Sequence, residues 1–459
     1  MEINKHTAFR SYSLKSGERA IFYNTISRNY TFLEGFSAEL FGLLYSGSES
    51  KILDWCKSNN ISAKDKDEFC KQLIDLEIFS NQEIKKKKLT NLQTVNREND
   101  EYSSKLNDFI EELCDNELFY SIHIDLTNKC NERCIHCYHP FDQYDYSKEL
   151  SFNEITELID EAYELGVFSV TLSGGESLLR KDFFDIVKYI SDKGMLITLF
   201  TNGMLLTEQN VKRLAEYRIN VVSISIYGDI ASVHDRITRV EGSFERTLKG
   251  IEQLKKYNLA FDLKCMVLAE NADRLMQIRN FCENLNYGLK CTLDFTLCGK
   301  INGDCKVFEH RISTDKLKNI FYTDPEYYIG KKENFNRTPE SYTCNAGRHG
   351  LYCSADGEIY PCVSFRLYLC DFRNLKNINC CQTLKRWQKT KISDFQGCFS
   401  HHYCTYCVEQ CAGNNLIENK NYLNGETSHC DRAKIIAEWF EKKKNGGEND
   451  GKVEDHCCS

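Results

Sequence analysis

Apolar residues between Ser121 and Cys298 alternate between two periods. Six runs rich in β-branched and aromatic residues predict strands at Ser121–Leu126, Phe168–Leu172, Met195–Phe200, Asn220–Ile226, Phe261–Leu268 and Lys290–Leu297. Helical spacing falls between them, at Phe152–Leu165, Lys181–Lys193, Thr207–Tyr217, Ser243–Tyr257 and Asn271–Leu285. Such alternation demands parallel strands joined by right-handed helical crossovers. Six units give an α/β fold that is a partial (β/α)6 barrel, short of the closed eight, with chemistry gathered at the C-terminal ends of its strands. Upstream, two short strand patterns, Ala20–Asn24 and Tyr30–Leu33, precede helical runs at Ser37–Tyr45, Glu49–Asn59 and Ala63–Phe79.

These patterns divide the chain into an N-terminal domain over 1–82, a polar linker over 83–112 that includes the lysine run 85–88, a barrel over 113–310, a cysteine-rich module over 340–440 and a polar, disordered tail over 441–459. With a formal net charge of -8 there is no global pull toward nucleic acid or anionic membrane. No segment approaches the roughly 20 apolar residues of a membrane span. Met1–Leu14 lacks the basic start and apolar stretch of a signal peptide, so a cytoplasmic location is expected. There the 24 cysteines are better read as thiols and metal ligands than as disulfides.

Three of them, Cys130, Cys134 and Cys137, stand in C-x3-C-x2-C spacing directly after the first barrel strand. Three thiolates on one short loop can hold three irons of a 4Fe-4S cube and leave the fourth without a protein ligand. Ser173-Gly174-Gly175-Glu176 ends the second strand, Asn202-Gly203 the third, and Ser223-Ile224-Ser225-Ile226-Tyr227-Gly228 the fourth. Glycines there allow close backbone approach, and Glu176 offers a carboxylate acceptor. His234-Asp235 is read as ordering a loop.

This set of motifs resembles the radical S-adenosylmethionine (SAM) signature, with His136 before the last cysteine and Tyr138 after it. The resemblance implies a 4Fe-4S cluster on Cys130, Cys134 and Cys137 whose free iron chelates SAM. It also implies a Gly174-Gly175-Glu176 segment that holds the methionine ammonium, and cofactor contacts from Ser225, Asn202 and His136. Ser177 stands where proline is common in that family.

Downstream, Cys344, Cys353, Gly357-x4-Cys362, Cys398-x5-Cys404-x2-Cys407-x3-Cys411 and Cys430 resemble the SPASM domain, which holds two auxiliary 4Fe-4S clusters. That implies one set of Cys344, Cys362 and Cys411, with Cys353 as candidate fourth ligand, and a second of Cys398, Cys404, Cys407 and Cys430. The x5 gap precedes the x2 gap, the reverse of the family's usual order, which leaves the partition open. A zinc ribbon at Cys404 and Cys407 is the alternative. The N-terminal hairpin and three helices resemble a winged-helix, PqqD-like peptide-recognition element.

Together these resemblances imply a peptide maturase. Its expected substrate is a ribosomally made precursor whose leader adds a strand beside Tyr30–Leu33, and its expected reductant is flavodoxin or ferredoxin. A thioether crosslink is the expected product. Carbon–carbon crosslinking, epimerisation and a sulfatase-maturing type of oxidation use the same parts. A non-catalytic binding or electron-transfer module is disfavoured, because Glu176 and Ser225 accompany an intact open-iron loop.

Overall fold

The structure is a computed structural model that describes residues 3–46, 49–79, 100–139, 144–299, 305–332, 335, 337–407, 411–425 and 427–445. The lysine run 85–88 and Cys457-Cys458 lie outside the described residues.

The N-terminal unit is an antiparallel sheet of β1 (Thr7–Leu14), β2 (Gly17–Asn24) and β3 (Asn29–Glu34), followed by helices Phe36–Ser46, Glu49–Ser58 and Ala63–Asp75. β1 escaped the sequence reading because two of its inward positions are Arg10 and Tyr12. Both are buried against the barrel, where Arg10 donates to Val167 O (3.2 Å) and Tyr163 O, and Tyr12 Oη donates to Gly166 O (2.9 Å). Ser62 caps the third helix in a reciprocal box with Asp65. That helix stops at Asp75, short of the expected Phe79, and Ile78 and Phe79 fill the core beyond it. β2 lies between β1 and β3, so β3 is an edge of this sheet.

The linker expected over 83–112 is corrected at its end, because Asp100–Asp115 is a helix. Phe109, Ile110 and Leu113 are buried at near-helical spacing, and Phe109 and Leu113 pack with Tyr12, Ile21, Phe168 and Leu196. Burying this stripe fixes the N-terminal sheet to the barrel.

Six parallel strands follow: β4 (Ser121–Thr127), β5 (Ser169–Gly174), β6 (Leu196–Thr201), β7 (Ile219–Ser225), β8 (Phe261–Met266) and β9 (Thr292–Asp294). Crossover helices cover them, and Ile124, Val170, Leu172, Ile197, Leu199 and Val222 form part of the core. β9 is shorter than expected. The sheet also extends past β4: β10 (Gly350–Cys353) pairs parallel with β4, and β11 (Glu358–Tyr360) and β12 (Cys370–Asp371) continue it antiparallel. The segment assigned to the cysteine-rich module thus begins inside the barrel sheet. Helix His429–Asn445 runs into the tail expected from 441, because Trp439 and Phe440 pack with the helix Thr314–Thr323. Among the described residues no helix is long and apolar enough to cross a membrane.

Candidate active site

The cysteine loop leaves β4 at Thr127 and is tied down along its length. Glu149 Oε1 accepts from Thr127 Oγ1 and Asn128 N (both 2.8 Å), Arg133 N donates to Thr238 O (3.0 Å), and Ile135 N donates to Ile237 O (3.0 Å). Gly174 and Gly175 have a role the sequence did not reveal. A Cβ at Gly174 would sit 2.2 Å from Thr127 O, and one at Gly175 would sit 2.3 Å from Lys129 O. The two glycines therefore let the end of β5 lie against the backbone that launches the cysteine loop. Gly175 N donates to Thr127 O (2.7 Å) and Glu176 N to Lys129 O (2.8 Å).

Glu176 is fully buried. Its Oε2 accepts from Thr201 Oγ1 (2.8 Å) and Asn202 N (3.0 Å), and its Oε1 from Leu178 N (3.1 Å). Burial pushes its carboxyl up, and these three donors oppose that shift. Most of its acceptor capacity thus joins the ends of β5 and β6. Asn202 continues the chain of contacts, donating from Nδ2 to Asn131 Oδ1 (2.7 Å) in the cysteine loop. Ser225 ends β7, two residues before Tyr227. The Tyr227 ring meets the His136 ring edge-on at 4.7 Å between centroids. Burial pushes His136 down to about 4, so the imidazole is neutral. Asp235 accepts from Gly242 N (2.7 Å), Ser243 Oγ and Phe244 N (both 2.8 Å), which orders a helix start.

Burial pushes the Cys130 thiol up to about 12. Cys134 rises well above its ordinary value through burial, with Glu132, Cys137 and Cys130 adding repulsion. Thiols that disfavour one another's ionised forms make a poor set of free anions and a good set around a cation. The donor set fits a cluster held by three thiolates.

The C-terminal cysteines separate into two groups. Cys398, Cys404, Cys407 and Cys430 line one small cavity. Among the described residues, the one triad of metal-ligating atoms drawn within 4.8 Å of one another is Glu111, Cys114 and His349. Cys362 and Cys411 approach each other from the segment after β11 and the start of helix Ala412–Asn419, with Cys344 also in electrostatic reach of Cys362. Cys353, the candidate fourth ligand, lies on β10 buried among apolar residues, and its thiol donates to the neighbouring Ser354 O (3.4 Å).

Three features were missed. Asn131 links the loop to Asn202, and its place between two motif cysteines was a usable signal. Asp125 is buried near the mouth end of β4, between the buried Ile124 and Leu126. Its Oδ2 accepts from Tyr352 Oη (2.6 Å), which in turn accepts from Arg366 Nη2 (2.9 Å). Burial works against the charge on Asp125, but contacts with His123, His139 and Tyr352 hold its carboxyl below the usual range. Finally, Tyr138, Cys298, Ser364 and Arg366 line a cavity of about 320 Å³ between barrel mouth and C-terminal domain. Only the folded chain brings these four together.

Residues 124–282 match the Radical SAM superfamily model. The barrel is a radical SAM domain, an enzyme domain whose family uses a 4Fe-4S cluster and S-adenosylmethionine. An AdoMet-dependent heme synthase of Methanosarcina barkeri is 36% identical over 161 residues, which is 35% of this chain and 46% of the synthase. The chain thus spans less than half the length of that relative. A PqqA peptide cyclase of Bradyrhizobium diazoefficiens is 28% identical over 254 residues, 52% of this chain and 65% of the cyclase. Among solved structures, Streptococcus suis SuiB bound to precursor peptide SuiA superposes with a TM-score of 0.61 at 16% identity. It covers 94% of this chain and 99% of SuiB, and so shares the fold.

Proposed function

We propose that this chain is a radical SAM peptide maturase that installs a thioether crosslink in a ribosomally made precursor. Cys130, Cys134 and Cys137 are the residues to hold the first cluster. Gly174 to Glu176, Asn202, Ser225 and His136 surround the SAM position. When bound, the reduced cluster and SAM supply a 5'-deoxyadenosyl radical, the agent of hydrogen-atom removal.

The observation that carries the reading is the cavity at the barrel mouth. Its lining includes Tyr138, next to a cysteine of the first set, and Val363 and Ser364, next to Cys362 of the auxiliary set. A substrate side chain seated there lies between the two groups of thiols. Arg366 donates to Val363 O (3.0 Å) as well as to Tyr352, so its guanidinium is fixed before substrate arrives. The buried Asp125–Tyr352–Arg366 network orders that wall and leaves it polar enough to bind a peptide amide.

Two further features support a peptide substrate. β3 is a sheet edge available for strand addition by a leader. The fold shared with SuiB, which was solved bound to precursor peptide SuiA, covers 94% of this chain. The reading is tested by incubating reduced, reconstituted protein with SAM and its precursor peptide. Release of 5'-deoxyadenosine should accompany loss of two hydrogens from the peptide, and the lost thiol should resist alkylation. Conversion of an iron porphyrin with no change in any peptide would favour a heme-synthase reading instead.

A further inference from the structure

We infer that Cys298 is the fourth thiolate of the auxiliary set formed by Cys344, Cys362 and Cys411, closing a coordination sphere that Cys353 cannot reach. The inference rests on the proposed reading of those three cysteines as cluster ligands.

Three separate segments meet at one point. Cys298 follows the last barrel strand, and its flanks press on the helix that starts after Cys411. Asn414 Nδ2 donates to Leu297 O (3.4 Å), and a Cβ on Gly299 would lie 2.8 Å from the Ile417 side chain. The Cys362 segment completes the meeting. Cys298 Sγ and Ser364 Oγ are hydrogen-bonded at 2.9 Å, and a Cβ on Gly413 would fall 2.1 Å from Ser364 O. Backbone contacts this close leave little freedom for the three cysteines to separate.

The thiol environment agrees. Cys411, Cys362 and Asp294 are all near enough to Cys298 to act on its charge. The charges around Cys353 are instead Asp125, Asp356, Asp371 and Cys370. Placing Cys298 on iron would satisfy its sulfur, leave Ser364 Oγ as a hydrogen-bond donor to that ligand, and set the wall of the substrate cavity directly against the cluster. A closed sphere also means that a substrate thiol reacts without first binding an auxiliary iron.

Differential alkylation of wild-type protein tests this. Anaerobically reconstituted enzyme and chelator-stripped enzyme are treated with iodoacetamide, digested and mapped by mass spectrometry, with iron measured on the same samples. Cys298 should be protected in the reconstituted protein together with Cys344, Cys362 and Cys411, and all four should react after stripping. Labelling of Cys298 while Cys362 and Cys411 stay protected would overturn the inference and leave the cluster in place. Labelling of all four in iron-loaded protein would overturn the cluster reading itself. As a second readout, Cys298→Ala should open an iron site, so that added 2-mercaptoethanol shifts the electron paramagnetic resonance spectrum of the reduced auxiliary clusters. The same addition should leave wild type and Cys353→Ser unchanged. An unshifted Cys298→Ala spectrum, or an equal shift in wild type, would contradict the assignment.

Discussion

Replacing Gly174 by alanine should dislodge the cysteine loop, and its size follows from contacts at the end of β5. Gly174 has φ of +122°, a conformation that costs a side-chain-bearing residue about 1–3 kcal/mol. The new Cβ would start 2.2 Å from Thr127 O, whereas ordinary contact begins near 3.4 Å, so backbone must retreat by about 1.2 Å. That displacement pulls apart the Gly175 N–Thr127 O and Glu176 N–Lys129 O bonds, each worth about 1 kcal/mol. The total is about 3–5 kcal/mol, which in a barrel of this size lowers the melting temperature by roughly 10 °C. A loop shifted by more than an ångström should also lose its cluster. The assay is thermal melting of the unreconstituted protein, with iron and SAM binding measured after reconstitution. Gly42→Ala is the control, since nothing lies within 4 Å of that Cβ and the site is helical. A Gly174→Ala protein that melts within about 2 °C of wild type and keeps its iron would refute this account of the glycine pair.

Replacing Cys130, Cys134 and Cys137 together by alanine should abolish 5'-deoxyadenosine formation while iron persists on the C-terminal thiols. Persistent SAM cleavage would contradict the assignment. Wild type should bind about twelve irons if three 4Fe-4S clusters form, and Cys404→Ala with Cys407→Ala should remove about four; a large zinc content would restore the ribbon alternative. A synthetic leader should slow amide exchange in residues 29–34 and leave residues 7–14 unchanged. Uniform exchange with and without leader would remove β3 as its docking edge. Burial holds His234 at about 4 against an ordinary 6.5, with Tyr227 N donating to its Nδ1 at 3.2 Å. The unfolded chain takes up this proton first, so stability should fall as pH drops from 6.5 toward 4 and level off below. Denaturant curves of His234→Asn should show a smaller fall over that interval.

Much of the barrel was legible because each strand and crossover helix buries its own periodic apolar face. The cysteine loop was legible because three cysteines sit within eight residues. What could not be read depended on contacts between distant segments. β1 hid behind Arg10 and Tyr12, whose inward polar ends donate to carbonyls of Tyr163, Gly166 and Val167, more than 150 residues later in the chain. The helix Asp100–Asp115 was obscured by the long polar stretch before it. β10 is four residues long and gains its place from β4, not from its own pattern. Cys353 fitted a ligand spacing, yet strand burial puts its thiol in the apolar core. Cys298, outside every motif, approaches Cys362 and Cys411 only because the end of the barrel folds back onto the C-terminal domain.

The most direct measurement of the central claim is one reaction with two readouts. Reduced protein, SAM and the precursor peptide are incubated without oxygen, and 5'-deoxyadenosine and peptide mass are quantified together over time. Peptide maturation predicts that both change in equal molar amounts, with the crosslink mapped to a cysteine sulfur. Steady 5'-deoxyadenosine release with the peptide mass unchanged throughout would contradict it.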